Sequence, residues 1–423
     1  MKIDEVISKY VPSRRQKELL MLFSLAWMLD AAGVMLMTFT LGSITKEWNL
    51  TAVQASSIAS STFMGMLVGA LTSGFVADKL GRKLAMNMYL AFTVIFTVLN
   101  GTAQTPLLFG VLRFLSGVGY GGLMPSVNTY LSESIAIKVR GRYLVLLEAS
   151  WAIGSILIGW YAVTLGTRFG WRSVYYVLAA GALLFIPFLL LPESPKFAYI
   201  KRGKDGLEKV LRVKVKEDIE PVEKRSVPVA ALLEKAYIKR TVMVWVSWFV
   251  VSFVYYGLFI WLPKFFASTG ISEARSLWYS FFMMLAQLPG YLSAAYFIEK
   301  IGRKASLAIY FFGTAAAALG FSLVNETASL VTMGLITSFF CLGVWGLVYA
   351  YTPELFPTAF RGTANGSAGV MARIAGITAP YFTAVFAGKE NIFAALVWFA
   401  LFATVAAIFV LMWGVETKGE ATG

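Results

Sequence analysis

The sequence predicts an all-α membrane protein, with twelve transmembrane helices in two pseudo-symmetric six-helix bundles. Three observations predict it. First, of 423 residues 58% are apolar, 15% aromatic and only 14% charged, whereas a soluble domain carries about 25% charged and 45–50% apolar residues. Second, twelve stretches approach or exceed the roughly 20 apolar residues that cross a bilayer. Third, two charged motifs recur at one constant spacing of 221 residues. The same numbers exclude a soluble enzyme, a disordered chain and a disulfide framework. Cys341 is the one cysteine, so no intramolecular disulfide forms. There is no histidine, which excludes a histidine-ligated metal centre and leaves proton chemistry to carboxylates.

The spans are expected at 19–44, 53–77, 84–103, 106–131, 143–166, 171–192, 241–267, 276–298, 305–324, 328–352, 361–387 and 391–414. None alternates polar with apolar residues as a membrane strand would. The charged stretch before Leu19 has no cleavage site, so no separate signal peptide is expected. With the N-terminus inside, 29 of the 37 Lys and Arg fall on the cytoplasmic side. Lys46, Arg168, Arg172, Lys264, Arg275 and Lys389 fall outside, and Arg113 and Arg373 lie within spans. This imbalance places both termini in the cytoplasm and explains the +14 charge without nucleic acid. Segment 193–240, polar and containing Pro221 and Pro228, reads as a cytoplasmic linker joining a bundle at 1–192 to one at 241–423.

The duplication is carried by GFVADKLGRK (74–83) against AYFIEKIGRK (295–304) and by YLSESIAIKVRG (130–141) against YTPELFPTAFRG (351–362). Such parallel repeats occur in a large class of secondary transporters. On these motifs the chain resembles the major facilitator superfamily over essentially its whole length. Gly74–Lys83 is similar to its loop 2–3 signature, and Arg113–Gly122 (RFLSGVGYGG) to its fourth-helix pattern. Pro192-Glu-Ser-Pro195 is similar to the sugar-porter and organic-ion branch, and Tyr351–Thr358 most resembles the organic-ion, nicotinate and synaptic-vesicle-type members. The fold and a transport activity are what the resemblance implies.

Gly74, Asp78, Gly81, Arg82, Glu133 and Arg140, with Glu299, Arg303, Glu354 and Arg361 in the repeat, are expected to form cytoplasmic ion pairs that act as a latch. The charges inside the spans are not duplicated. Asp30, Arg113 and Glu148 map by the repeat to Val251, Gly334 and Gly369, and Arg373 maps back to Ala152. Ionisable groups in spans face a cavity or one another. Asp30 shares a helical face with Trp27, Gly33 and Met37, and Arg113 shares one with Gly110, Gly117 and Tyr120. Asp30 and Arg113 are expected to pair, because a buried unpaired charge is very unfavourable. Desolvation and the arginine act on the aspartate in opposite senses, so proton exchange near physiological pH is expected. The resemblance implies the same role, since proton-coupled sugar porters use this pair of positions. Glu148, seven residues after Gly141, stands where those porters bind sugar through glutamine, so it is a candidate for both proton and substrate.

The seventh span speaks against sugar. Tyr255-Tyr256 is present, but Trp245, Val246 and Val251 replace the amide side chains of sugar porters, and polyol hydroxyls need such donors and acceptors. Aromatic residues stand there instead: Trp248, Tyr255, Trp345 and Tyr349, with Trp27, Tyr120 and Trp151 in the first half. Arg373 lies mid-span, twelve residues after Arg361, where the resemblance implies an arginine in organic-anion carriers and an aspartate in organic-cation carriers. A guanidinium fork suits a carboxylate. Gln287 and Asn128 are further lining candidates. The expectation is proton-coupled symport of a small organic anion, an aromatic or other monocarboxylate, by alternating access. It needs no cofactor beyond the proton gradient, and its partners are that anion, the proton and the bilayer. An organic-cation or sugar porter and a transporter-shaped receptor are the alternatives. A prokaryotic plasma membrane is expected, because the large outer domain of eukaryotic organic-ion carriers is absent, and a monomer is expected.

Overall fold

The structure, a computed structural model, describes residues 1–220, 228–357, 359–387 and 391–418; Pro221, Thr358 and Lys389 lie outside the described residues. Among the described residues there is no strand, and twelve helical spans are long and apolar enough to cross a membrane. An amphipathic helix α1 (Ile3–Tyr10) precedes α2 (Ser13–Glu47), α3 (Ala52–Leu80), α4 (Arg82–Asn100), α5 (Pro106–Ser132) and α6 (Ile137–Tyr161). The sixth span is irregular, with α7 (Trp171–Tyr176) passing through a 3-10 stretch, Val177–Leu184, into α8 (Phe185–Leu190). Helix α9 (Pro195–Leu211), broken into two pieces at Gly203 (φ +62°, ψ −151°), occupies the segment expected to be linker. Then follow α10 (Ile238–Phe259), α11 (Leu262–Ala267), α12 (Glu273–Leu285), α13 (Gln287–Ile301), α14 (Arg303–Leu323), α15 (Thr327–Glu354), α16 (Arg361–Ala387) and α17 (Ala394–Trp413).

Two expected spans break, and proline explains both. The seventh ends at Phe259 rather than 267, because Pro263 has no N–H for the Phe259 carbonyl and its ring crowds that oxygen. The eighth is interrupted at Ala286 (ψ −15°), because Pro289 cannot donate to the Leu285 carbonyl. The second break puts Gln287 at the first position of a new helix.

Packing divides the chain into two compact units, one of Met1–Leu36, Met64–Tyr161 and Arg168–Lys224, the other of Met37–Phe63, Ala162–Thr167 and Arg225–Gly423. In the first unit α4 and α5 touch at backbone distance. A Cβ on Gly119 would stand 2.3 Å from the Thr93 nitrogen, and one on Gly122 would stand 2.2 Å from the Tyr89 ring. Gly119, Gly121 and Gly122 are therefore helix-packing positions. In the second unit Gly290 of α13 meets the Phe339 carbonyl of α15 in the same way. Also in the second unit, Ser56 and Ser60 of α3 donate to the carbonyls of Pro380 (2.8 Å) and Ile377 (2.7 Å) where proline interrupts the hydrogen bonding of α16.

Candidate functional site

In the second unit, α10, α15 and α16 bring together the aromatic residues singled out in the sequence. Trp248 meets Trp345 edge-on (5.7 Å) and Tyr349 (4.6 Å), while Trp345 and Tyr349 stack at 5.7 Å. Tyr255 continues the wall, 6.3 Å from Trp345 and 5.1 Å from Tyr256. Tyr256 lies 4.4 Å from Phe63, and Phe63 fills the space beside Gly376, one turn from Arg373. Arg373 is within electrostatic reach of the Tyr256 hydroxyl.

This region carries buried polar atoms that no described residue meets, as a few other places in the chain do. Trp248 is fully satisfied, since its Nε1 donates to Thr352 Oγ1 (2.9 Å). Trp345 Nε1 is buried with no hydrogen-bond partner among the described residues. The same holds for both amide atoms of Gln287 and for Arg373 Nε. Arg373 Nη1 donates to the Gly369 carbonyl (3.2 Å), and no described acid of this unit forms an ion pair with it. A buried polar group left unmet costs about 1–3 kcal/mol, and most native ones are met. Trp345 is part of the aromatic wall, Arg373 borders it through Tyr256, and Gln287 stands on α13, which packs against α15; aromatic faces with a few polar groups are the composition of a small-molecule site. Tyr256 and Phe63 were not singled out from the sequence. Tyr256 was legible only as half of a Tyr-Tyr pair, and Phe63 had no signal.

The first unit holds Asp30, Arg113, Tyr120, Trp27, Glu148 and Trp151. Asp30 is fully buried, with Thr93 Oγ1 donating to its Oδ1 (3.3 Å) and no partner on Oδ2 among the described residues. Arg113 is 1% exposed, and its Nη1 donates to the Gly33 carbonyl (3.1 Å). The expected Asp30–Arg113 ion pair is not formed. The Gly33 carbonyl takes the guanidinium, and Tyr120 occupies the space that a side chain at Gly33 would fill. The Arg113 guanidinium lies 6.0 Å from the Tyr120 ring, and the Tyr120 hydroxyl is hydrogen-bonded to Thr97. Arg113 thus holds the carbonyl of Gly33, one turn from Asp30 on α2, and Tyr120 is within electrostatic reach of both charges. Trp27 Nε1, one turn from Asp30, is also unmet. Glu148 and Trp151 are half-buried on α6, which touches α2 where Gly154 meets the Met28 carbonyl.

The sequence profile of the Major Facilitator Superfamily matches residues 22–380. The chain belongs to the Major Facilitator Superfamily. A Bacillus subtilis protein provisionally named niacin/nicotinamide transporter NiaP is 36% identical, covering 95% of this chain and 97% of its own. The niacin transporter NiaP of Acinetobacter baylyi is 33% identical, covering 95% and 94%. The synaptic vesicle 2-related protein of Xenopus laevis is 27% identical, covering 96% and 79%. In fold the chain is similar to the xylose transporter XylE from E. coli, with a TM-score of 0.78 at 17% identity, covering 97% of this chain and all of that one. It is a multi-pass membrane transporter of this superfamily, not an enzyme, in the branch that the motifs of the sequence resemble.

The superfamily's loop motifs form two matching clusters, one in each unit. In the first, Arg82 donates from Nε and Nη2 to Glu133 (both 3.1 Å) and from Nη1 to Asp78 and the Ala77 carbonyl (both 2.9 Å). In the second, Arg303 donates to Glu354 (2.9 and 3.2 Å), pairs with Glu299 (3.1 Å) and reaches the Ile298 carbonyl (3.2 Å). Sequence reasoning missed a further acid in each. Glu193 accepts from the backbone N–H groups of Arg82 and Lys83, and Glu416 accepts from those of Arg303 and Lys304. Burial pushes the Glu416 carboxyl up, but its backbone N–H donors more than offset this and hold it below the usual carboxylate range. Ser194 and Thr417, the next residues, donate to Glu133 and Glu354. The signal was present as Glu193-Ser194 against Glu416-Thr417, at a spacing of 223 rather than 221.

Arg140 departs from the expected latch, because its partner is Asp4 of α1 (2.8 Å). Helix α1 packs Ile3, Val6 and Ile7 against Leu207, Leu211 and Val215, and its Ser8 accepts from the Ile137 N–H at the start of α6. Arg361 donates to the Phe356 carbonyl (3.2 Å) and forms no ion pair with a described residue of its unit. Gly74 is exposed, with nothing near its Cβ position.

Proposed function

We propose that this transporter moves a small aromatic monocarboxylate of the nicotinate type together with a proton, by alternating access, across a prokaryotic plasma membrane with both termini cytoplasmic. The bundles 1–192 and 241–423, joined by 193–240, are the alternating elements in this reading. The observation that carries it is Arg373: a guanidinium beside an aromatic wall, with a buried Nε that lacks a partner and no described acid of its unit paired to it. An arginine fork binds a carboxylate through two parallel charge-assisted hydrogen bonds, and the aromatic faces suit a flat ring. Gln287 and Trp345 supply further donors. The relatives named for niacin transport favour a pyridine carboxylate, and Arg373 favours the acid over its uncharged amide. Asp30, held by one neutral donor, is the proton carrier in this reading, and Arg113 responds through Gly33 and Tyr120.

The test is uptake of radiolabelled nicotinate into proteoliposomes, with and without an inward proton gradient. Wild type should concentrate nicotinate only with the gradient, and nicotinamide should compete poorly. Arg373→Ala should abolish binding and uptake. Asp30→Asn should lose gradient-driven accumulation while retaining exchange of internal for external nicotinate. Gradient-independent accumulation by wild type would remove the proton from the reading, and intact nicotinate affinity in Arg373→Ala would remove the carboxylate assignment.

A further inference from the structure

A cavity lies in the second unit, away from the Arg303 cluster. It has a volume of about 290 Å³, close to the lower end of the ~300–1,000 Å³ typical of small-molecule pockets. Its walls come from the end of α2 with the turn that follows, and from α11 and the start of α12. Phe39, Leu41, Leu50, Ile260, Trp261 and Leu277 make it mainly apolar. The charged residues in the lining are Lys46, Lys264 and Glu273.

Those three charges do not cancel. Lys46 and Glu273 form an ion pair with each other. Lys264 forms no ion pair among the described residues; its ammonium lies 5.3 Å from the Trp261 ring centroid. Crowding by apolar neighbours pushes that ammonium below the ordinary lysine value, with no acid offsetting it. Trp261 is itself fixed, because its Nε1 donates to the Pro380 carbonyl (3.3 Å). A rigid aromatic face, an apolar chamber and one uncompensated ammonium therefore meet in one place. A cation is disfavoured there by the net positive charge, and a neutral apolar molecule would gain nothing from the Lys264 ammonium, which stands exposed at the edge of the cavity, whereas an anion would pair with it.

We infer that this cavity binds a monoanion with an apolar body, either a free organic carboxylate or the phosphate headgroup of an anionic lipid, with Lys264 holding the charge and Trp261 the apolar part. The inference does not rest on the reading of the Arg373 site, because the two share no residue.

The test is equilibrium binding of radiolabelled benzoate to the full chain in phosphatidylcholine nanodiscs, using wild type, Arg373→Ala, and Arg373→Ala combined with Lys264→Gln or Lys264→Arg. Arg373→Ala should keep a saturable class of sites. Lys264→Gln should weaken that class by about 10–100-fold, the value of a charge-assisted hydrogen bond, and Lys264→Arg should largely restore it. Elution of each variant as a monodisperse peak separates loss of the site from loss of the fold. Replacing part of the lipid with phosphatidylglycerol distinguishes the sources: an unchanged class identifies a free carboxylate, and displacement of benzoate identifies the lipid. If residual benzoate binding is absent, or is the same with and without Lys264→Gln, and Lys264→Gln leaves co-purified phosphatidylglycerol unchanged, the inference is overturned. Loss of the Arg373-dependent class alone would bear only on the proposed transport site.

Discussion

Substituting Gly81 tests how the first loop cluster is built. Gly81 ends α3 and caps α4 at φ +103°, ψ 157°, a region that residues with a Cβ enter at about 1–3 kcal/mol. A Cβ there would also stand 2.3 Å from Glu193 Oε2. The carboxylate would have to move, and it now accepts the N–H groups of Arg82 (3.0 Å) and Lys83 (3.1 Å). Losing such a cap costs about 0.5–2 kcal/mol. Gly81→Ala should therefore destabilise by about 1.5–5 kcal/mol, which at about 2–4 °C per kcal/mol is a melting temperature roughly 3–20 °C lower. Gly74→Ala in the same motif is the control: nothing lies within 4 Å of its Cβ position, and alanine favours a helix over glycine by about 0.5–1 kcal/mol. The assay is thermal unfolding of purified protein in detergent, followed by loss of the monodisperse peak. If Gly81→Ala melts with Gly74→Ala, the glycine is not needed to seat Glu193, and the capping argument fails for Gly302 and Glu416 as well.

Glu133→Gln should cost about 1–3 kcal/mol, because it takes the carboxylate from two donors of the Arg82 fork while Asp78 still pairs with the third; the side chains are only 9% and 11% exposed. Glu354→Gln should cost less, since the Arg303–Glu354 pair is 14% and 22% exposed, and equal melting shifts would refute that ranking. Docking of α1 should depend on pH. Burial pushes Asp4 up, but Arg140 and Lys196 more than offset this and hold it below the usual range; Lys9 holds Glu217 at about 2. A lowered folded-state value stabilises docking fully above the ordinary carboxylate range and loses that stability as pH falls through the lowered values. Hydrogen exchange over Ile3–Tyr10 should thus stay slow at neutral pH and quicken, corrected for intrinsic rate, towards pH 2–3; slower corrected exchange on acidification would contradict the assignment. Asp4→Asn should release α1 at neutral pH without moving the Arg82 cluster, read by the same exchange experiment.

Much of the fold was legible because membrane spans are written in composition, and a duplication is written in spacing. The breaks were less legible. Pro263 and Pro289 stand in plain view, but an apolar run containing proline reads as one span until the backbone hydrogen bonds are accounted for. Helix α1 spans only eight residues, too few to declare itself by periodicity, and its role rests on long-range partners such as Arg140 and Leu207. Phe63 reaches the aromatic wall because residues 37–63 pack in the second unit, a grouping that chain order conceals. Asp30 and Arg113 were expected to pair, but the sequence does not show that Thr93 holds the aspartate and the Gly33 carbonyl holds the arginine. Gly33 leaves room for Tyr120 beside them.

Two of the repeated charges, Arg82 and Arg303, and two of the unrepeated ones, Asp30 and Arg373, differ in how well they are satisfied. Arg82 and Arg303 each meet a carboxylate with two donors, a second acid and a backbone carbonyl, and each partnering glutamate takes a further hydroxyl donor. Networks filled to this degree rigidify the parts they join, and the repeat kept them where two equivalent bundles need the same brace. Asp30 and Arg373 have no counterpart in the repeat, and each keeps an unmet buried atom. A group in that condition gains most from a proton or an anion, because nothing already bound has to be displaced. Filling it with protein should therefore stabilise the fold and abolish transport together. A carboxamide beside Arg373, introduced by Gly369→Asn, carries that argument, because its Cβ would lie 3.2 Å from Arg373 Nη1. The variant should bind nicotinate more weakly and melt no lower than wild type; undiminished nicotinate affinity would show that Arg373 is not the group the anion meets.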